Sequence, residues 1–101
     1  MEIQIQEDKK SVVMFLEGSL DSITAPEAEG ELFPVMAENE FEKITLDCSK
    51  LNYVASSGLR FIFMVLKQGK ESGARVVLKD VNKFVRFVLD STGLAPMFEF
   101  E

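Results

Sequence analysis

Two adjacent hydroxyls and a glycine stand together in Leu51-Asn52-Tyr53-Val54-Ala55-Ser56-Ser57-Gly58-Leu59, directly ahead of a long apolar helical stripe. Ser56 or Ser57 is placed to cap that helix, its hydroxyl accepting from a free N–H of the first turn. A cap of this kind contributes about 0.5–2 kcal/mol relative to alanine. The same position suits a second chemistry. A helix start carries positive partial charge and several unpaired N–H groups, so it holds a phosphate with little rearrangement. A serine there is a good phosphoacceptor, because the dianion changes what docks on that rim rather than how the chain folds. Gly58 leaves the backbone approachable beside the hydroxyls.

Carboxylates offer weaker chemistry. If Asp21 and Asp47 share a rim, the pair can bind a hard cation, and Asp47 can be read as a phospho-accepting aspartate. Against the second reading, the chain lacks an acidic pair after its first strand and opens with a hairpin rather than a βα unit. Asp47 reads instead as a strand-end residue satisfying loop N–H groups. Cys48 falls in the apolar alternation of its strand and behaves as a small buried hydrophobe. Tyr53 reads as loop packing.

Composition removes whole classes of function. There is no histidine, so this chain holds no Ser-His-Asp or Cys-His centre and no His-ligated metal. With one cysteine, no internal disulfide or multi-thiolate cluster forms. Lys and Arg number 11 against 17 Asp and Glu, a net charge of −6, which argues against nucleic acid as a partner. It suits a partner that is basic where the two meet. No cofactor is implied. The first six residues alternate polar and apolar rather than forming a leader, and no apolar run approaches the ~20 residues of a membrane span. The expectation is one compact domain over 1–101, cytoplasmic, with 47% apolar residues to build its core.

The elements that must position the serines follow from periodicity. Met1, Ile3 and Ile5 alternate with polar residues and Val12–Leu16 is a continuous apolar run, which together predict a hairpin. Thr24-Ala25-Pro26-Glu27 predicts a capping box, and Ala28, Leu32, Val35 and Met36 the inward face of a first helix, with a kink or break near Pro34. Lys43–Cys48 predicts a strand ending in a rim loop. Leu59, Ile62, Phe63 and Leu66 predict a largely buried second helix ending near Gly69 or Gly73. Arg75–Lys79 is a strand. Val81, Phe84, Val85 and Val88 predict a third helix with Gly93 as its stop, leaving Phe87 and Leu89 pointing elsewhere. Met97–Phe100 predicts an edge strand. The order implies an α/β fold: a mixed β-sheet, opening hairpin then βα units, with helices packed on it.

Four short stretches in the right order resemble a STAS domain of the anti-sigma-factor antagonist type: Leu16-Glu17-Gly18-Ser19-Leu20-Asp21, Leu46-Asp47-Cys48-Ser49-Lys50-Leu51, Ser56-Ser57-Gly58-Leu59 and Ser91-Thr92-Gly93-Leu94. The resemblance implies a protein-interaction switch and no enzyme. The unphosphorylated antagonist binds an anti-sigma factor that is also a serine kinase, which releases a sigma factor. Phosphorylation of one serine ends the complex, and a phosphatase resets it. The matching serine is Ser56; Ser57 and Gly58 shape the start of the helix, and Asp21 matches an acidic residue that flanks the site. Ala55 departs from the family's usual acid before the serine, removing a contact for the kinase or its metal. The alternative implied by other stand-alone STAS proteins is an adaptor subunit of a transport or signalling-scaffold complex, which binds without any change at Ser56.

Overall fold

The computed structural model describes residues 1–101. β1 (Glu2–Glu7) and β2 (Ser11–Leu20) form the opening hairpin, followed by α1 (Thr24–Glu38), β3 (Lys43–Val54), α2 (Ser56–Glu71), β4 (Arg75–Lys79), α3 (Lys83–Ser91), a 3-10 turn (Ala95–Met97) and β5 (Glu99–Phe100). The strands lie side by side in chain order, β1 antiparallel to β2 and every later neighbour parallel. Right-handed crossovers between strands added in one direction bring all three helices to one face. There Met14 of β2, Leu46 of β3 and Leu78 of β4 join Leu32 of α1, Phe61 and Val65 of α2, and Val85 and Leu89 of α3 in a single buried cluster.

The helices follow their sequence signals, with corrections. α1 runs unbroken through Pro34, where a kink or break is expected. Pro34 and Gly30, whose carbonyl loses its partner four residues on, are both exposed, so water satisfies what the proline leaves free. α2 passes through Gly69 and stops only ahead of Gly73, which takes φ +86°. Gly69 belongs to the packing: a Cβ there would meet Val76 Cγ2 at 2.6 Å, so its absence lets α2 lie close on β4. In α3 the buried residues are Val85 and Leu89, not Phe84. Val81 lies ahead of the helix, and the inward face runs through Val85 and Leu89, four residues apart, so Leu89 is core where it is expected to point elsewhere and Phe84 is not. The expected last strand shrinks to Glu99–Phe100, because Ala95–Met97 curl into the 3-10 turn.

No helix covers the other sheet face. Val77 and Thr45 are nevertheless buried on it, since they alternate with Val76, Leu78, Ile44 and Leu46. Across β3, β4 and β5 run the ion pairs Lys43–Glu101 (2.9 Å) and Arg75–Glu99 (2.8 Å). They hold both glutamates below the ordinary carboxylate range, chiefly through the hydrogen bonds from Arg75 and Lys43. Being exposed and screened by solvent, they stabilise little. They do tie the short β5 and the residue after it to β4 and β3.

Cys48 lies on the helix-facing side of β3, 2% exposed, as its alternation predicts. Burial, then the charges of Asp47 and Asp80, push its thiol up to about 12. The thiolate is the reactive species. A disulfide-exchange reagent at pH 8 is therefore expected to label no thiol in the native protein and one per chain in denaturant; rapid native labelling would contradict this packing.

Candidate functional site

The parallel pairing of β2 with β3 decides where the serines sit. It survives two irregularities, between Phe15 and Glu17 and between Gly18 and Ser19, and continues to Leu20 opposite Val54. β3 therefore runs well past Cys48, and the expected rim loop is absent: only Ala55 separates strand from helix. The Ala55 N–H donates to the Leu20 carbonyl at 2.9 Å. That same carbonyl stands over Gly58, where any Cβ would collide with it and would lie 2.9 Å from Leu20 Cγ. Gly58 thus permits the close approach of α2 to the end of β2.

This geometry corrects the capping assignment. The N-cap of α2 is Ala55, extended at φ −89° and ψ 177°, and it supplies no side-chain hydrogen bond. Ser56 and Ser57 are the first two residues of the helix itself, because the long strand moves the turn forward to Ala55. Ser56 is exposed and Ser57 half-buried. Neither hydroxyl takes part in any of the hydrogen bonds that order the surrounding side chains. The first bond within the helix runs from Leu59 N–H to Ala55 O at 3.0 Å. The N–H groups ahead of it have no side-chain acceptor, and the first turn contains no acid. An exposed serine hydroxyl is displayed at an uncapped, positively polarised helix start.

Asp21 sits on the same rim, at the C-terminal ends of the parallel strands, and it does what Thr24 and Glu27 are expected to do. Its Oδ1 accepts from the N–H groups of Ile23 (3.0 Å) and Thr24 (3.1 Å), so the start of α1 is held by Asp21 rather than by a capping box. Thr24 Oγ1 donates instead to Ser19 O at 2.7 Å. The backbone bonds from Thr24 and then Ile23 hold the Asp21 carboxyl below its ordinary value. Between the starts of α1 and α2 lies a hollow of about 300 Å³ lined by Ser22, Ala25, Pro26, Glu29, Ser57 and Arg60. Ser57, unlike Asp21, is part of its wall.

Asp47 is elsewhere. It is buried in mid-β3 on the helix-free face, opposite Phe15, and accepts from Ser49 N–H (3.0 Å) and Ser49 Oγ (2.7 Å). It is not at the strand end. Five positions of β2 separate Phe15 from Leu20, which puts Asp47 about 15 Å along the sheet from the rim that carries Asp21. The two carboxylates share no rim, and no three potential metal ligands are grouped.

Asn82 escapes the sequence reading. Its Oδ1 accepts from Val85 N–H (2.8 Å), capping α3, while its Nδ2 donates to Leu51 O (2.9 Å) at the end of β3. An Asn directly ahead of the helix is itself a cap signal, hidden once Val81 is placed inside the helix. The tie seats Phe84 on Tyr53, with ring centroids 5.7 Å apart and planes at 17°. Both are 47% exposed, Phe87 70% and Ile23 82%. Tyr53 is therefore half of a surface aromatic pair rather than loop packing, and Phe84 is the other half rather than core.

The fold is that of a known family. The profile of the STAS domain matches residues 2–101, and the chain belongs to that family. It is 30% identical over 87 residues, 86% of this chain and 74% of the other, to BtrV of Bordetella bronchiseptica, described as a candidate anti-sigma factor antagonist. It is 27% identical over 94 residues, covering 93% and 80%, to the anti-sigma F factor antagonist of Paenibacillus polymyxa. The fold is that of the anti-sigma factor antagonist SpoIIAA. For its unphosphorylated form the TM-score is 0.86 at 20% identity, over 99% of this chain and 88% of the other. For the phosphorylated Bacillus form the TM-score is 0.80 at 19%, over 99% and 91%. No helix is long and apolar enough to cross a membrane.

Two outcomes follow from the packing. Gly58→Ala is expected to lose about 1–3 kcal/mol in urea unfolding as the Leu20 carbonyl and α2 are forced apart; an unchanged midpoint would show that the approach is slack. Asp21 is lowered in the folded state, so its stabilisation is full above about pH 5 and lost as pH falls through the carboxylate range. In Asp21→Asn, melting temperature should fall less steeply than in the wild type between pH 5 and pH 3.

Proposed function

We propose that this chain is an anti-sigma factor antagonist: unmodified, it binds an anti-sigma factor of the serine kinase type and so frees a sigma factor. Phosphorylation of Ser56 switches it off, and a phosphatase resets it. The observation that carries this reading is the Ser56 hydroxyl, exposed and free of hydrogen bonds at the first position of a helix that has no side-chain cap. The names of its relatives support the role, and the two states known for SpoIIAA support the modification.

The physics of such a switch is local. A phosphate on Ser56 brings about −1.5 to −2 charges to a helix start that favours anions, so the fold tolerates it. The rim around it changes character. Tyr53, three residues before Ser56, and Phe84 stacked on it offer a partner an exposed apolar surface to bury. A dianion at that contact would have to be stripped of water without a partner built to receive it, which weakens the complex. The chain itself performs no catalysis: it supplies the hydroxyl, and the kinase supplies nucleotide, metal and base. On this reading 1–101 is a single domain acting in the cytoplasm. Asp21 holds the start of α1, and Ser57 and Gly58 set the geometry of Ser56 for the partner.

Ala55 favours one other reading. Without an acid beside the acceptor, the chain could serve as a constitutive adaptor in a transport or scaffold complex. The two separate in capture from native lysate with wild-type and Ser56→Asp baits, followed by quantitative mass spectrometry. The switch requires a kinase-like anti-sigma factor on the wild type, at least about tenfold depleted on Ser56→Asp, a loss of roughly 1.4 kcal/mol or more. Ser56→Ala should retain the partner and take up no phosphate. Equal recovery of transporter or scaffold subunits on all baits would establish the adaptor.

A further inference from the structure

We infer that Arg60 is the built-in counter-charge for a phosphate on Ser56, holding the modified side chain against α2; this rests on the switch reading above. Ser56 and Arg60 are four residues apart on one helix, which makes them neighbours on its surface, with Cβ atoms about 5–6 Å apart. Helical side chains lean towards the N-terminus, so the guanidinium at 60 reaches back over the turn that holds the serines. Its shared lining of the hollow with Ser57 agrees with that direction.

The guanidinium is uncommitted. The four ion pairs of the molecule use Lys10, Lys43, Arg75 and Arg86. Arg60 enters none of them, although Glu29 lines the same hollow. A planar fork of five donors with no partner suits the bidentate recognition of a phosphate. Glu29 is its local competitor, with one negative charge against nearly two and two acceptor oxygens against three. The hollow is lined by Ser57 and not by Ser56, so the phosphate meets the guanidinium along the surface of α2 rather than inside it. Arg60 is a positioning residue here. It touches no reacting atom in the unmodified protein, and it fixes where the charge of the modified protein points.

Phosphoserine encoded directly at position 56 tests this without any kinase, so a failure of the switch in cells and a failure of this inference remain separate results. The second pKa of the phosphate is read by phosphorus NMR titration. A nearby cation favours the dianion, so the wild-type value should lie below that of Arg60→Gln by roughly 0.2–0.4 unit. Arg60→Lys should recover part of the difference, Glu29→Gln should widen it, and salt near 1 M should shrink it. Arg60 is exposed, so these variants are expected to fold, which circular dichroism checks. Identical titrations in wild type and Arg60→Gln would overturn the inference. So would a larger Arg60 dependence for phosphoserine encoded at 57.

Discussion

One carbonyl organises the rim. Leu20 O, at the last paired position of β2, accepts from Ala55 N–H and closes the space above Gly58. The bond carries the strand pairing to its end, and the contact sets how near α2 may come. Everything displayed at the rim depends on it. With Ala55 fixed extended and Gly58 pressed on the carbonyl, Ser56 has to fall at the first helical position, facing out. A side chain at 58 would lift the helix, and the serine with it. The positions that hold the hydroxyl in place are therefore glycine and leucine, residues with no chemistry of their own.

Rigid as it is, the rim uses different devices at its three helix starts. α1 begins on the Asp21 carboxylate and α3 on the Asn82 amide, each accepting from backbone N–H groups. α2 alone begins without a side-chain acceptor. A side-chain cap is usually worth around 1 kcal/mol. α2 does without it because Phe61, Ile62, Val65 and Leu66 are all buried, and burying one such apolar side chain contributes about 1.5–3 kcal/mol. The best-packed helix is the one that can leave its N–H groups open.

Much of this was legible in the residues. Alternation and helical spacing place every strand and helix, because the sheet is covered on one face and its buried residues must recur at fixed intervals. What escaped was fixed by pairing rather than by pattern. Ser49-Lys50-Leu51-Asn52 reads as a loop, yet β3 takes up one extra residue against β2 at each of two irregularities and keeps the ladder going to Val54. That extension moved Ser56 and Ser57 from cap to helix. The α3 stripe slipped because Phe84 is apolar at an inward-looking spacing, and apolar character cannot tell core from an aromatic pair at the surface. The Asp21 cap lay in view three residues before Thr24, masked by the stronger-looking Thr24–Glu27 pattern. That the serine pair opens α2 is legible, because two serines before a glycine and an apolar stripe form a local feature.

The sheet carries its strands in the order the chain makes them. No strand has to wait for a later one to be inserted between it and its neighbour, so each new βα unit can dock on an edge already present. A chain emerging N-terminus first from the ribosome could therefore begin with the β1–β2 hairpin and grow by accretion, adding one crossover at a time. The rim would be the exception, since it completes only when Asn82 reaches back to Leu51. Until then the future Tyr53–Phe84 surface is half made, and the nascent chain presents its serine before it presents the contact surface beside it.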